Sequence, residues 1–449
     1  MKTKFEHLLS TLGTKDVEAI ISLIPTSIME GNQKHIAYLQ YWNINKMDEK
    51  KNIPVTERLL MSDLTKMMEK YIVIKNSLAS AFHYNHTLLE YYRIHENEKL
   101  FSEAYKSMQN QEGQALRNEK SYQQNADILY EKWQFDQVKS RFSNADAEDI
   151  IHDTDVAIIS KKLMQTVTFA TQSTLISKKI NTQLIDHLES YIIEHGYLAY
   201  PCIALYYYAW KLILYPEDVV WFEKFNEMLE PNEHLFPHEE LKNLYFQGIN
   251  YCIRKHNSGD KAFSQKLLNY YKIALSKKYL LTNGYLSKNT YRNINTIALR
   301  MGRYDEAKEI STDNVQYLRK EEKDSAFRFN MANIYYATEK YTDALESLRN
   351  IEFDDHLSNL FAKTLMLKIY YETKSERLLD SHLDAMNIYL TRKKIIGYHK
   401  TNYSNIVKYT RKLIRLNRFD SKAKAKLAEQ IRTEKLLPDR DWLLRQVEV

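Results

Sequence analysis

An all-α chain, built as a right-handed α-solenoid of helical hairpins, is predicted on three observations. Glycine (9) and proline (7) are scarce among 449 residues, which leaves too few turn-formers for a many-stranded sandwich or barrel. In "FNMANIYYATEKYTDALESL", 329–348, apolar residues recur at three- and four-residue spacing in two sets parted by a short polar turn. Similar stretches stand on either side at spacings near 35 residues, and a hairpin that cannot bury its own apolar face needs such neighbours.

The totals narrow the class further. With 27% charged and 12% aromatic residues, including 34 tyrosines, the chain has both a solvated surface and material for packing, which excludes disorder on composition. Two cysteines, Cys202 and Cys252, exclude a disulfide framework or a CxxC metal or redox site and suit a reducing compartment. "MKTKFEHLLSTLG" places Glu6 and His7 where a secretory leader needs apolar residues, and "CIALYYYAW" is about half of a membrane span. A cytoplasmic protein with no membrane partner is the expectation.

Taken in chain order, residues 1–155 read as an irregular N-terminal helical region. Its helices are "TERLLMSDLTKMMEKYIVI" (56–74), "LLEYYRIHENEKLFSEAYKSM" (88–108) and a long polar helix near 110–142. The acidic stretch 143–155 is the expected boundary, although Ile150 and Ile151 suit a helix equally well. Residues 156–435 read as helical repeats, opening with "AIISKKLMQTVTFATQ" (157–172), and the clearest hairpins run from about 200 to 415. The first, 201–229, is broken at Pro216, with Trp210 and Trp221 on its apolar faces. The second, 244–275, joins its helices by "HNSGDK", a longer turn than the later repeats have. Residues 291–310, 329–348 and 364–383 follow, and Tyr370 stands 35 positions after Tyr335. Residues 436–449 form a capping helix in which Trp442 and Leu443 cover the last repeat.

Within 329–348, Ala332, Tyr335, Tyr341, Ala344 and Leu348 occupy, in order, the small and aromatic places that mark a tetratricopeptide repeat. Gly302, Tyr304 and Ala307 stand in the same relation upstream. The chain resembles that repeat, with uneven spacing and without the tryptophan of its fourth position. From about residue 56 onward it also resembles a group of uncharacterised bacterial proteins with tetratricopeptide-like C-terminal halves. That likeness is carried by "RLLMSDLTKMMEKY", "LYFQGINYCIRKHNSGD", "TLMLKIYYE", "YLTRKKIIGYHKTNYSNIVKYTRKL" and "DWLL". The resemblance implies a helical scaffold and no particular chemistry.

Motifs for catalysis are missing: no P-loop, GxGxxG, GxSxG or HExxH occurs. His83, His86 and Glu90 have a spacing that would gather on one helix face, but this reads better as helix surface than as a metal site. Pro237 between His234 and His238 points to a helix starting there, with Glu239 and Glu240 in its first turn. In "EFDDHL" an aspartate capping the following helix explains the acidic cluster. No catalytic residue, metal or cofactor is expected.

What remains is surface. In the tyrosine pairs one member packs and the other lies about 100° around the helix, where Tyr336 and Tyr371 would line a concave face with their hydroxyls free for a peptide. Residues 391–440 hold 15 Lys and Arg against 4 Asp and Glu, whereas the other 399 residues hold 49 against 54. Arg392, Lys393, Lys394, Lys408, Arg411, Lys412 and Arg415 lead this basic region, with Tyr398, Tyr403 and Tyr409 interleaved. Lys408, Arg411, Lys412 and Arg415 share one helix face at three- and four-residue steps. The expected function is non-catalytic: a scaffold or adaptor binding an acidic protein or peptide. The alternative is a nucleic-acid-associated protein whose basic ridge follows a phosphate backbone.

Overall fold

The computed structural model describes residues 3–44, 55–112, 116–139, 147–176, 181–349, 351–392 and 398–448. Among them are twenty-two α-helices, three 3-10 turns and one two-stranded β-ribbon, so the chain is all-α. Consecutive helices pack as neighbours, an arrangement compatible with a helical-repeat solenoid. None of the described helices is long and apolar enough to cross a membrane. Two compact units are present: residues 1–206 with 234–236, and residues 207–233 with 237–449.

The first unit begins with helices Lys4–Thr11, Thr14–Leu23 and Gln33–Ile44 laid against Val55–Ala79. Thr3 opens the series with a reciprocal capping box to Glu6. Phe5, Ile20, Ile24, Leu39, Trp42, Leu64 and Met68 fill the space between these helices. The stretch read as one helix over 88–108 is two, Ala81–Ile94 and Glu98–Glu112, because Glu96 takes a left-handed conformation (φ 52°) and turns the chain. The long polar helix is Glu119–Lys139. The expected boundary falls inside helix Ala147–Ile176 from Ala147 onward, with Ile150 and Ile151 helical; residues 143–146 lie outside the described residues.

Hairpins dominate the second unit. Their first helices are His238–Asn257, Lys288–Arg300, Lys320–Ala337 and His356–Glu372; their second helices are Ala262–Ser276, Tyr304–Asn314, Tyr341–Leu348 and Glu376–Arg392, after which Tyr398–Ile414 packs on Glu376–Arg392 and Ser421–Thr433 packs on the last helix, Arg440–Glu448. Helix starts follow from capping oxygens: Ser287, Asp355 and Asp420 each accept the backbone N–H three residues on. Asp355 is the capping aspartate expected in "EFDDHL", and a helix does start at His238, after Pro237.

Turns carry the repeat. The N–H groups of Asp260, Arg303, Lys340 and Ser375 reach back five residues to the carbonyls of Lys255, Ala298, Tyr335 and Tyr370 at 2.8–3.1 Å. Each closes over a left-handed residue: Gly259, Gly302, Glu339 and Lys374. Helix His238–Asn257 takes in the first two residues of "HNSGDK", which leaves a turn of four residues, one more than the later hairpins have.

Side chains then lock neighbouring hairpins. Ser311 is fully buried; its Oγ accepts from Asn295 Nδ2 (3.0 Å) and Asn330 Nδ2 (3.2 Å), and its carbonyl accepts from the Tyr291 hydroxyl (2.7 Å). At Gly248 an added Cβ would overlap the Tyr270 ring, which is itself tied through its hydroxyl to Asn226. The ribbon, Leu281–Thr282 against Tyr285–Leu286, turns at Asn283–Gly284, both left-handed. Cys202 and Cys252 form no disulfide; each is fully buried, one in each unit. Burial pushes the Cys252 thiol up to about 12.

Candidate partner-binding groove

The basic ridge of the sequence becomes one wall of a groove. Helix Tyr398–Ile414 buries Tyr403, Ile406, Val407, Tyr409 and Leu413 in the C-terminal core, and that choice of face turns Lys408, Arg411, Lys412 and Arg415 together to one side. With Asn387, Ser404 and Val407 they line an open cavity of about 350 Å³.

Compensation of these four cations is uneven. Arg411 donates from Nη2 to Asp384, itself largely exposed, at 2.5 Å. Its buried Nε finds no acceptor among the described residues. Lys408 stands 3.8 Å from Glu434, a carboxylate that also accepts the Tyr409 hydroxyl. Lys412 donates to the neutral Gln430 Oε1 at 2.7 Å and lies over the Tyr409 ring, an attraction that leaves its charge in place. Arg415 has no side-chain partner among the described residues. The groove therefore carries excess positive charge with hydrogen-bond donors unfilled, a chemistry for carboxylates or phosphates.

The remaining expected residues lie elsewhere or are occupied. Arg392 is exposed at the end of helix Glu376–Arg392 and does not line the groove. Lys393 and Lys394 lie outside the described residues. The interleaved Tyr403 and Tyr409 are buried, not displayed.

Tyr336 does not present a free hydroxyl, contrary to the sequence expectation. It donates to Glu372 Oε1 at 2.7 Å, beside Tyr341, which donates to Oε2 at 3.0 Å, and Trp442, whose indole N–H reaches Oε1 at 2.6 Å. Burial first and Glu372 second raise the Tyr336 hydroxyl far above its ordinary value. Lys368 lies over the Tyr336 ring and pairs with Asp439 at 2.8 Å. Tyr371 meets the edge of Trp442; burial pushes its hydroxyl up, an effect the nearby Arg418 opposes. These tyrosines hold the capping helix Arg440–Glu448, where Trp442 and Leu443 are buried as expected.

Two histidine arrangements were not legible beforehand. His256 lies 2.8 Å by Nδ1 from Ser264 Oγ and 2.8 Å by Nε2 from Arg300 Nη1. A guanidinium can only donate, so Nε2 accepts and Nδ1–H donates to the serine, the reverse of a base that activates a hydroxyl. His152 takes the Tyr200 hydroxyl at Nε2 (2.7 Å) and meets Asp153 at Nδ1 (3.1 Å), while Asn125 donates to the other aspartate oxygen. This clasp joins helices Glu119–Lys139 and Ala147–Ile176 to the turn Tyr197–Ala199. His83 and His86 pack against Phe82, and among the described residues no three metal-ligating side chains gather.

Comparison with known proteins adds no name: no family model, no curated protein and no solved structure matches the chain.

Proposed function

We propose that the chain is a non-catalytic, cytoplasmic protein-interaction scaffold whose second unit is a right-handed solenoid of tetratricopeptide-like hairpins. Its partner is an acidic protein segment held in the basic groove. The observation that carries this reading is the convergence of Lys408, Arg411, Lys412 and Arg415 on one cavity with few carboxylates to balance them. The repeated five-residue turn closures support the tetratricopeptide-like geometry.

Nucleic acid is the competing partner, since cations at three- and four-residue steps can track phosphates. The tyrosines between them argue against it. Single-strand binders offer exposed aromatic faces on which bases stack, whereas Tyr403 and Tyr409 are in the core. Fluorescence anisotropy of the full chain with a Glu-rich peptide and with a mixed-sequence oligonucleotide, at 50 and 200 mM salt, tests the choice. Peptide binding lost in R411A/K412A/R415A supports the scaffold reading. Oligonucleotide binding that falls steeply with salt, without peptide binding, overturns it.

A further inference from the structure

The most exposed large apolar side chain of the described residues follows closely in the chain after Arg415, the last residue that lines the groove. Phe419 is 97% exposed, four residues after Arg415. Its turn is ordered: Phe419 N–H donates to Asn417 Oδ1 (3.1 Å), Asp420 N–H to the Asn417 carbonyl (3.0 Å), and Asp420 caps helix Ser421–Thr433 through Ala423 N–H (2.9 Å). The phenyl ring is thus displayed by a built turn. Ile414, 40% exposed, is a second displayed apolar side chain and directly precedes Arg415.

We propose, building on the scaffold reading, that groove and turn form one composite docking surface for an acidic segment carrying a large apolar side chain, with Phe419 as its apolar anchor. Charge complementarity selects the acidic part: Lys412 meets an amide and the Tyr409 ring but no carboxylate, and Arg415 meets no partner among the described residues. From Lys408 to Arg415 the helix rises about 10 Å, which three residues of extended peptide span. Two carboxylates at alternate positions therefore face two successive cations, and the side chain beyond them reaches Phe419. A cavity of about 350 Å³ has the size of a site for a short segment. The indented wall, with Asn387 and Ser404 beside the cations, suits such a chain better than a flat lipid surface.

The test uses the full chain and three labelled probes: a peptide with alternating Glu and a terminal Trp, the same peptide with Ser for Trp, and anionic phosphatidylserine vesicles. The Trp peptide is expected to bind, to lose about 5- to 10-fold on either Trp→Ser or Phe419→Ser, and to lose no more when both changes are combined. K412E/R415E is expected to abolish binding, with circular dichroism confirming that each variant is folded. Equal binding of both peptides, unaffected by Phe419→Ser but abolished by K412E/R415E, overturns the anchor and leaves the groove reading standing. Vesicle binding without peptide binding, sensitive to Phe419→Ser, overturns both.

Discussion

Trp442 donates its indole N–H to Glu372 Oε1 across 70 residues of sequence, and the same carboxylate takes the hydroxyls of Tyr336 and Tyr341. Three donors on three helices thus converge on one acceptor. Removing the acceptor leaves all three unmet in a half-buried place, so Glu372→Ala is expected to cost about 2–4 kcal/mol in urea denaturation. Trp442→Phe keeps most of the ring and loses one hydrogen bond, and is expected to cost about 1 kcal/mol plus the lost packing.

Glu339 and Lys374 sit where Gly302 sits, with φ of 59°, 54° and 71°. A side chain in this region is strained, so Glu339→Gly is expected to stabilise by about 0.5–1 kcal/mol and Gly302→Ala to destabilise by about 1 kcal/mol. Thermal melts of the two variants should move in opposite directions.

Gly248 touches Tyr270 too closely for any Cβ, and Asn226 restrains the hydroxyl at that same end of the ring. Gly248→Ala is expected to cost roughly 1–3 kcal/mol through overpacking. Gly248→Ala with Tyr270→Leu should recover part of that loss, measured as a double-mutant cycle.

Acid should weaken the fold through two histidines. Burial lowers the pKa of His382, whose ring hydrogen-bonds the Lys363 carbonyl at 2.7 Å; burial and then Arg300 lower that of His256. The unfolded chain binds these protons more readily, so the stability they contribute is complete above the ordinary value of 6.5 and is lost as pH falls through the depressed folded values. Denaturation midpoints should fall from pH 7 to pH 5, and less so in His382→Gln.

Local signals made much of this readable. The amphipathic spacing around Tyr335, the capping Asp355, the break at Pro216 and the apolar pair Trp442–Leu443 are all matters of near neighbours, and periodicity reports these directly. Asn283–Gly284 is an equally plain hairpin signal, masked by the helical pattern on either side of so short a ribbon. Glu339 and Lys374 hid their turns, since only glycine advertises a left-handed residue. Of the candidate site, the four cations on one helix face were legible from their spacing. That Tyr336 gives its hydroxyl to Glu372, and that Tyr403 and Tyr409 turn inward, depends on contacts about 20 to 40 residues away, which no local pattern encodes.

The two buried thiols have a practical consequence. Cys202 belongs to one compact unit and Cys252 to the other, and both are fully shielded from solvent. An alkylating reagent reaches a thiolate only after the surrounding helices part. Peptide mapping of a timed alkylation therefore dates the breathing of each half separately, so the native chain carries its own pair of clocks.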